Sequence, residues 1–496
     1  MRKIIEEQMK FGEVSIANIE FELNSRDEIP KLLIGLQSIY LDKEVREKVS
    51  HVLMELVPIN VDPNNGREGM HLWKILVLGT VRLCCGWDYD KLQNIADNHT
   101  KLREMLGHSK FNFDSRYPLQ TLKDNLRLFT REVYDKINTI VVEHGHKVIG
   151  LKSDEKINAS CDSYVVETNV HFPTDINLLW DALRRTIILI TRLCDELGIT
   201  DWRQGKDNLK KVKKLFLQAQ RMKHSASKDD KKKQERERLI INIHLAYLSL
   251  AHALIKKAKE TLASISTANI VIEFKIKETE KLIGHAERQI DQIQRRVVEG
   301  ETIPHHEKVF SLFEEHTEWI SKGKFGKPIE LGLNVCIIKD QFGLILYHLV
   351  MQQETDDKVA VPMVRETKSR FPNLSSCSFD KGFHSPSNQE ELAKLLDKVI
   401  LPRKGKLSAI NKEIENSEEF KRARRKHAAV ESSISALENH GLDRCPDHGI
   451  DGFKRYVGLG ILARNIQIIG HIIQQRQLKE EERKRKKQRA KIAVNF

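Results

Sequence analysis

Long uncharged apolar runs are missing from this 496-residue chain, and by sequence no stretch is expected to span a bilayer. The opening MRKIIEEQMKFGEVSIANIEF has neither an apolar central segment nor a small-residue cleavage site, so no signal peptide is expected. Cysteine is sparse and unpatterned. The seven residues, Cys84, Cys85, Cys161, Cys194, Cys336, Cys377 and Cys445, form no CxxC pair, which argues against both a disulfide framework and a zinc knuckle. These absences describe a cytoplasmic protein with reduced thiols and no membrane partner.

What the chain does have is positive charge. Lys and Arg number 83 against 70 Asp and Glu, a formal net charge of +13. Such a surplus favours a polyanionic partner, although a ribosomal or histone-like tail gives the same sum. The length predicts two or three domains. Residues 1–151 read as an all-helical domain. EIPKLLIGLQSIYLDKEVREKVSHVLMELVP carries apolar positions at helical spacing, and a break at VDPNNGREG precedes MHLWKILVLGTVRLCC and WDYDKLQNIADNHTKLREMLGH. Short helices with tight turns fit a helix-turn-helix domain or a plain bundle, and periodicity does not separate the two.

From Lys156 the texture changes. KINASCDSYVVETNVHF predicts a strand, and residues 178–300 then read as a long helical insertion, a hairpin or coiled coil with SASKDDKKKQ as a solvated hinge. IELGLNVCIIKD and GLILYHLVMQQ predict a hairpin turning at 340–343. After it come a helix at DKVAVPMVRETKSRFP, a short buried strand at LSSCSFDKGF, a helix at SNQEELAKLLDK and a strand at VILPRK. NSEEFKRARRKHAAVESSISALENH is expected to be one long helix. Without the insertion, this succession predicts an α/β fold with a ribonuclease H-like mixed sheet over 152–177 and 301–475. Residues 476–496 form a basic tail, with seven basic residues between Arg483 and Lys491, expected to be an arm that adds phosphate contacts or else a solvated end.

Two-metal phosphodiester chemistry needs hard oxygen ligands around cations roughly 3.5–4 Å apart. Asp162 at the end of the first strand, Asp380 at the end of the later buried strand and Glu431 within the last helix come in a suitable order. Each has an ordinary alternative: a turn cap for Asp162, an anchor of the DKG turn for Asp380, and a pairing with Arg424 or Arg425 for Glu431. His171 is a candidate for orienting DNA, and Asp175 is expected to cap the following helix. His316 and Trp319 lie beside Lys322, Lys324 and Lys327, a grouping suited to backbone contact and base stacking, or to a buried Trp beside a solvated lysine turn.

Several local strings, in the right order, carry a resemblance. CDSYVVETNVHFPTDINLLWDALR, SFDKGFHSP and RRKHAAVESSISALENHGLDRCPDHG resemble the segments around the three acids of DDE transposases of bacterial insertion sequences, the ISNCY-type group in particular. FEEHTEWISKGKFGKPIELG and GMHLWKILVLGTVRL resemble that family too. The resemblance implies Asp162, Asp380 and Glu431 as a catalytic, metal-binding triad for two Mg²⁺ ions, with Mn²⁺ able to substitute. It implies binding of terminal inverted repeats, then strand cleavage and strand transfer. The partners it implies are double-stranded DNA, as transposon ends and as target, and a second copy in a dimeric DNA complex; the expected place is the bacterial cytoplasm, at the nucleoid when DNA is bound.

One departure concerns the last helix, where relatives often carry Arg four residues before the Glu and Lys seven after it. Here His427 and Glu438 stand at those positions, so any hairpin-forming mechanism is not carried over. Phosphate contacts are then expected from Arg424, Arg425, Lys426 and His427, with Lys322, Lys324 and Trp319 as a second DNA-binding group. The rival readings are a non-catalytic DNA-binding regulator derived from a transposase and a ribonuclease H-like nuclease without strand transfer.

Overall fold

The structure, a computed structural model, describes residues 3–5, 11–57, 69–109, 111, 114–152, 154–321 and 328–494, with side chains to 488. It divides into two compact units, Met1–Asn169 with Ile320–Phe496, and Val170–Trp319.

The first unit opens with helices α1 (Glu28–Leu41), α2 (Lys43–Met54), α3 (Leu72–Cys84), α4 (Tyr89–Asn98), α5 (Thr100–Met105), α6 (Leu119–Leu126) and α7 (Arg131–Ile149). Local chemistry sets their starts. The carboxylates of Asp27 and Asp42 and the hydroxyl of Thr130 accept the otherwise orphaned N–H groups of Ile29, Val45 and Val133. Strand β1 (Ile157–Thr168) follows, and the chain then enters the second unit.

That unit holds α8 (Asp175–Leu197), α9 (Gly205–Arg221), α10 (Asp230–Ser264) and α11 (Ile270–Ile293). It has its own core, including Leu183, Ile190, Trp202, Phe216, Tyr247 and Ile290. The buried Trp202 indole donates to Thr261 Oγ1 at 3.0 Å, so its polar edge costs little inside that core. The cap of α8 is Thr174, which accepts from the N–H of Asn177. Asp175, expected as the cap, is instead the first helical residue, and it pairs with Arg296 at 2.6 Å.

The chain returns through β2 (Glu318–Ser321), β3 (Ile329–Lys339), β4 (Ile345–Val350), α12 (Asp356–Arg370), β5 (Leu374–Phe379), α13 (Pro386–Leu395) and β6 (Lys398–Ile400). It ends with α14 (Ala409–Asn416), α15 (Glu418–His427), α16 (Ala429–Leu437), β7 (Arg444–Cys445) and α17 (Gly449–Val494). The described strands form one seven-stranded mixed sheet in the order β2-β3-β1-β5-β6, with β4 on β3 and β7 on β1. β1 is antiparallel to β3 and parallel to β5, and β6 is parallel to β5. A central strand with an antiparallel hairpin on one side and parallel strands on the other is compatible with the ribonuclease H-like arrangement expected from the sequence.

Three expectations need correction. β1 runs on to Thr168, so Asp162 lies inside the strand rather than at its end. The helix expected to carry Glu431 without interruption is broken at Ala428 into α15 and α16. Two helices also contain windows long and apolar enough, by length and composition, to cross a membrane, one within Asp230–Ser264 and one within Gly449–Gln488. The second window is 72% buried, because α17 is the central post of the first unit.

Phe453, Val457, Ile461, Leu462, Ile466 and Ile469 of α17 are buried, and α1, α3 and α7 pack on that helix. The N-terminal helices therefore share one core with the sheet. A polar joint fixes their register. Asn465 of α17 accepts from the N–H of Ile345 at 2.8 Å and donates to Asn138 Oδ1 at 2.7 Å, so these buried groups are satisfied.

Candidate active site

The site forms where two neighbouring strands part. β5 runs beside β1 up to the pair Cys161↔Phe379 and then leaves. Among the described residues, pairing on that edge of β1 resumes only when β7 reaches Glu167 and Thr168. β3 meanwhile holds the other edge throughout, with Asp162 opposite Ile337. Asp162 and Asp380 are each the next residue after the last β1–β5 pair, so the fork brings these two acids side by side. Such a crevice, at the carboxyl end of a parallel strand, is where open α/β sheets place ligands.

Glu431 comes from the first turn of α16. Val430, Ile434 and Leu437 point into the core at helical spacing and leave Glu431 exposed on the flank. Lys339, buried on β3, fixes this turn by donating from Nζ to the Ala429 carbonyl at 2.6 Å and to Ser433 Oγ at 3.0 Å. Burial holds the Lys339 ammonium below its ordinary value, with Asp340 opposing.

The electrostatics show that the acids feel one another. Burial pushes the Asp162 carboxyl up to about 6, the Ser163 N–H opposes the rise, and Asp380, Asp356 and Glu431 add to it. A fourth acid that sequence reasoning missed, Asp356 at the start of α12, belongs to the same group. Its carboxylate accepts from Ser163 Oγ at 2.7 Å, and burial raises it while that bond opposes. Gly382, in the DKG turn, leaves the room for it, since a Cβ there would stand 2.9 Å from Asp356 Oδ2. The signal available in the sequence was an acid opening a helix straight after a hairpin.

His427 ends α15 beside these acids. Its Nδ1 lies 3.0 Å from Ser378 Oγ, and burial lowers its pKa while Asp380 and Glu431 oppose. Arg424, Arg425 and Lys426 are exposed on α15. Lys426 also lines a cavity of about 630 Å³ along the same sheet face, with Lys339, Lys398, Arg422, Ser160 and Ser378. Trp319 belongs to the second unit. Within the second unit its ring packs against Phe310 and Phe172, each 5.6 Å away between ring centres. His171, in that unit too, bonds Asp181 at 2.6 Å. Lys322, Lys324 and Lys327 lie outside the described residues.

A mixed sheet with acids gathered at a strand fork, and cationic side chains on the adjoining helix, defines a class of site suited to phosphodiester chemistry on a polyanion. Residues 291–466 match the family described as transposase DDE domain, and this match supports a transposase function acting on DNA. The matched segment includes Asp380 and Glu431; Asp162 precedes it. No curated protein and no solved structure matches the chain.

Proposed function

We propose that this protein is a DDE-type transposase of a bacterial insertion sequence, of the ISNCY type, in which Asp162, Asp380 and Glu431 hold two divalent cations. The observation that carries the reading is the meeting of Asp162 on β1 and Asp380 just past the end of β5 at the β1–β5 fork, with Glu431 on the helix turn tied down by Lys339. The donor set fits hard cations, since carboxylate oxygens are the ligands Mg²⁺ takes, and crowded acids raise the Asp162 pKa in a way that bound positive charge relieves. Among the described residues no group of three or more His, Cys, Asp or Glu stands close enough together to hold an ion as it is. Mg²⁺, with Mn²⁺ able to substitute, would supply charge stabilisation at the scissile phosphate and a more acidic attacking hydroxyl.

The chain's own groups would do the rest. Asp162 sits in a paired strand and Asp380 directly follows one, which lowers the entropic cost of aligning the attack. Water opens the phosphodiester at each transposon end and leaves a 3′-OH, which then attacks a target phosphorus. Each step exchanges one P–O bond for another, so no side chain becomes phosphorylated. Arg424, Arg425 and Lys426 neutralise the DNA backbone, as Lys322 and Lys324 would elsewhere, and the basic end of α17 adds a salt-sensitive contribution. The helices of residues 1–151, with the adjacent α4 and α5 as the recognition candidates, would read the terminal inverted repeats. Because two ends must be joined, two copies act together, with the 178–300 helices available to the second copy or to DNA.

An assay with the element's end DNA, a target plasmid and Mg²⁺ or Mn²⁺ tests this. Wild type should yield joined products, and Asp380→Ala and Glu431→Ala should each lose at least about a hundredfold, since even outer partners of metal ligands are worth roughly 10–100-fold. Cleavage persisting in both variants sinks the triad. Binding without cleavage favours the regulator, and cleavage without joining favours the nuclease.

A further inference from the structure

The fork has an acid that the triad does not use. Asp356 belongs to neither strand; the α12 N-terminus delivers it into the space between β1 and the turn after β5. One oxygen is fixed, with Oδ1 accepting from Ser163 Oγ at 2.7 Å, on the residue next to Asp162. The other, Oδ2, faces the turn that begins at Asp380. The space there is kept by Gly382, where a Cβ would come within 2.9 Å of that oxygen. Among the described residues no cation bonds the carboxylate. Lys404, whose charge reaches it, donates instead to the Gly382 carbonyl at 2.6 Å.

An acid held in place at one oxygen only, beside other acids and without a basic partner, is costly unless positive charge arrives from outside. A purely structural role does not call for this arrangement. The cap position of α12 is Thr355, and the Asp356 carboxylate, one residue on, bonds Ser163 of β1 rather than a backbone N–H of its own helix. A structural ion pair would take the lysine that is available. The Ser163 bond instead fixes the direction of the carboxylate, with Oδ2 beside Gly382 in the turn after Asp380, as the partners of metal-ligating carboxylates do.

We infer that Asp356 is a fourth carboxylate of the cation site, adding Oδ2 to the oxygens of Asp162 and Asp380. This rests on the reading of those two residues as cation ligands. It makes the fork, rather than the α16 helix, the firmer half of the site. Three of four acids then come from elements that meet around β1, and Glu431 closes the site from the side.

The test is a Mn²⁺ titration of the full-length protein, followed by the electron paramagnetic resonance signal of free Mn²⁺, so that it reads binding rather than turnover. Asp356→Asn keeps the shape and an oxygen for Ser163 while removing the charge. It should weaken Mn²⁺ binding roughly tenfold or more, as Asp380→Asn should. Asp357→Asn removes the same charge one residue further along α12 and should change binding less than about twofold. The Mn²⁺-induced rise in each variant's own unfolding midpoint gives a second measure, internal to that variant, that does not depend on its starting stability. Loss in Asp380→Asn with wild-type binding in Asp356→Asn overturns the inference and leaves the triad standing. Equal losses in Asp356→Asn and Asp357→Asn overturn it too, as a diffuse field effect. Unchanged binding in both Asp380→Asn and Asp356→Asn overturns the triad as well.

Discussion

At the scale of single residues the site is an electrostatic liability that the fold sustains. A carboxyl whose folded pKa is about 6 against a usual 3.8 favours the folded state while protonated, and that contribution is lost as pH rises through 6. In metal-free protein Asp162→Asn should therefore be stabilising at pH 8, by about 1–3 kcal/mol for a shift of this size, and the gain should vanish near pH 4. Urea unfolding of both proteins in chelator at pH 4, 6 and 8 measures it; a gain that stays constant across that range would contradict the assignment. The same residues show what was legible. Asp162 and Asp380 stood out because one lies within and the other directly after a β-rich string with a distinctive neighbourhood. Asp356 did not, since acids are common in the first turn of any helix, where they complement its dipole. Only its bond to Ser163, 193 residues away in sequence, sets it apart, and no local pattern encodes that distance.

At the scale of elements the strands were easier to foresee than the acid-bearing helix. The β3–β4 hairpin, the helix opened by Ser385 and Pro386, and the short strand before Asp380 follow from short β-rich apolar runs and capping chemistry. Nothing between residues 417 and 437 is Gly or Pro, so the break at Ala428 left no mark in the sequence. Its setting is tertiary. Lys339 reaches from β3 to the first turn of α16, while His427 at the end of α15 meets Ser378 of β5. Lys339→Met keeps an apolar stem of similar length but frees that turn. Strand transfer should then fall about tenfold to a hundredfold, because small displacements of a ligand-bearing helix are costly, while end-DNA binding stays within about twofold. Gel-shift and joining assays on the same preparations separate the two effects. A parallel loss of binding would assign Lys339 to the DNA surface instead.

At the scale of the whole molecule, the first and last thirds of the chain were readable as separate texts, but their shared core was not. α1 and α17 cross so closely that backbone meets backbone. A Cβ on Gly470 would lie 1.8 Å from the Lys31 carbonyl oxygen, and one on Gly35 would lie 2.2 Å from that of Ile466. Helix propensity alone says that Ala at position 470 gains up to about 1 kcal/mol, and overpacking against atoms that cannot swing aside costs about 1–3 kcal/mol. The second effect should win, because the obstacle is a carbonyl of the facing helix rather than the end of a flexible side chain. Gly284 of α11 gives the opposite case, exposed and with nothing within 4 Å of an added Cβ. Gly284→Ala should therefore stabilise by about 0.5–1 kcal/mol, on propensity alone. In Gly470→Ala the lost stability should appear at both ends of the chain, with faster hydrogen exchange in α1 as well as in α17. Exchange that quickens in α17 while α1 keeps its protection would mean that the N-terminal helices stand without the C-terminal post, and that their common core contributes little to holding the first unit together.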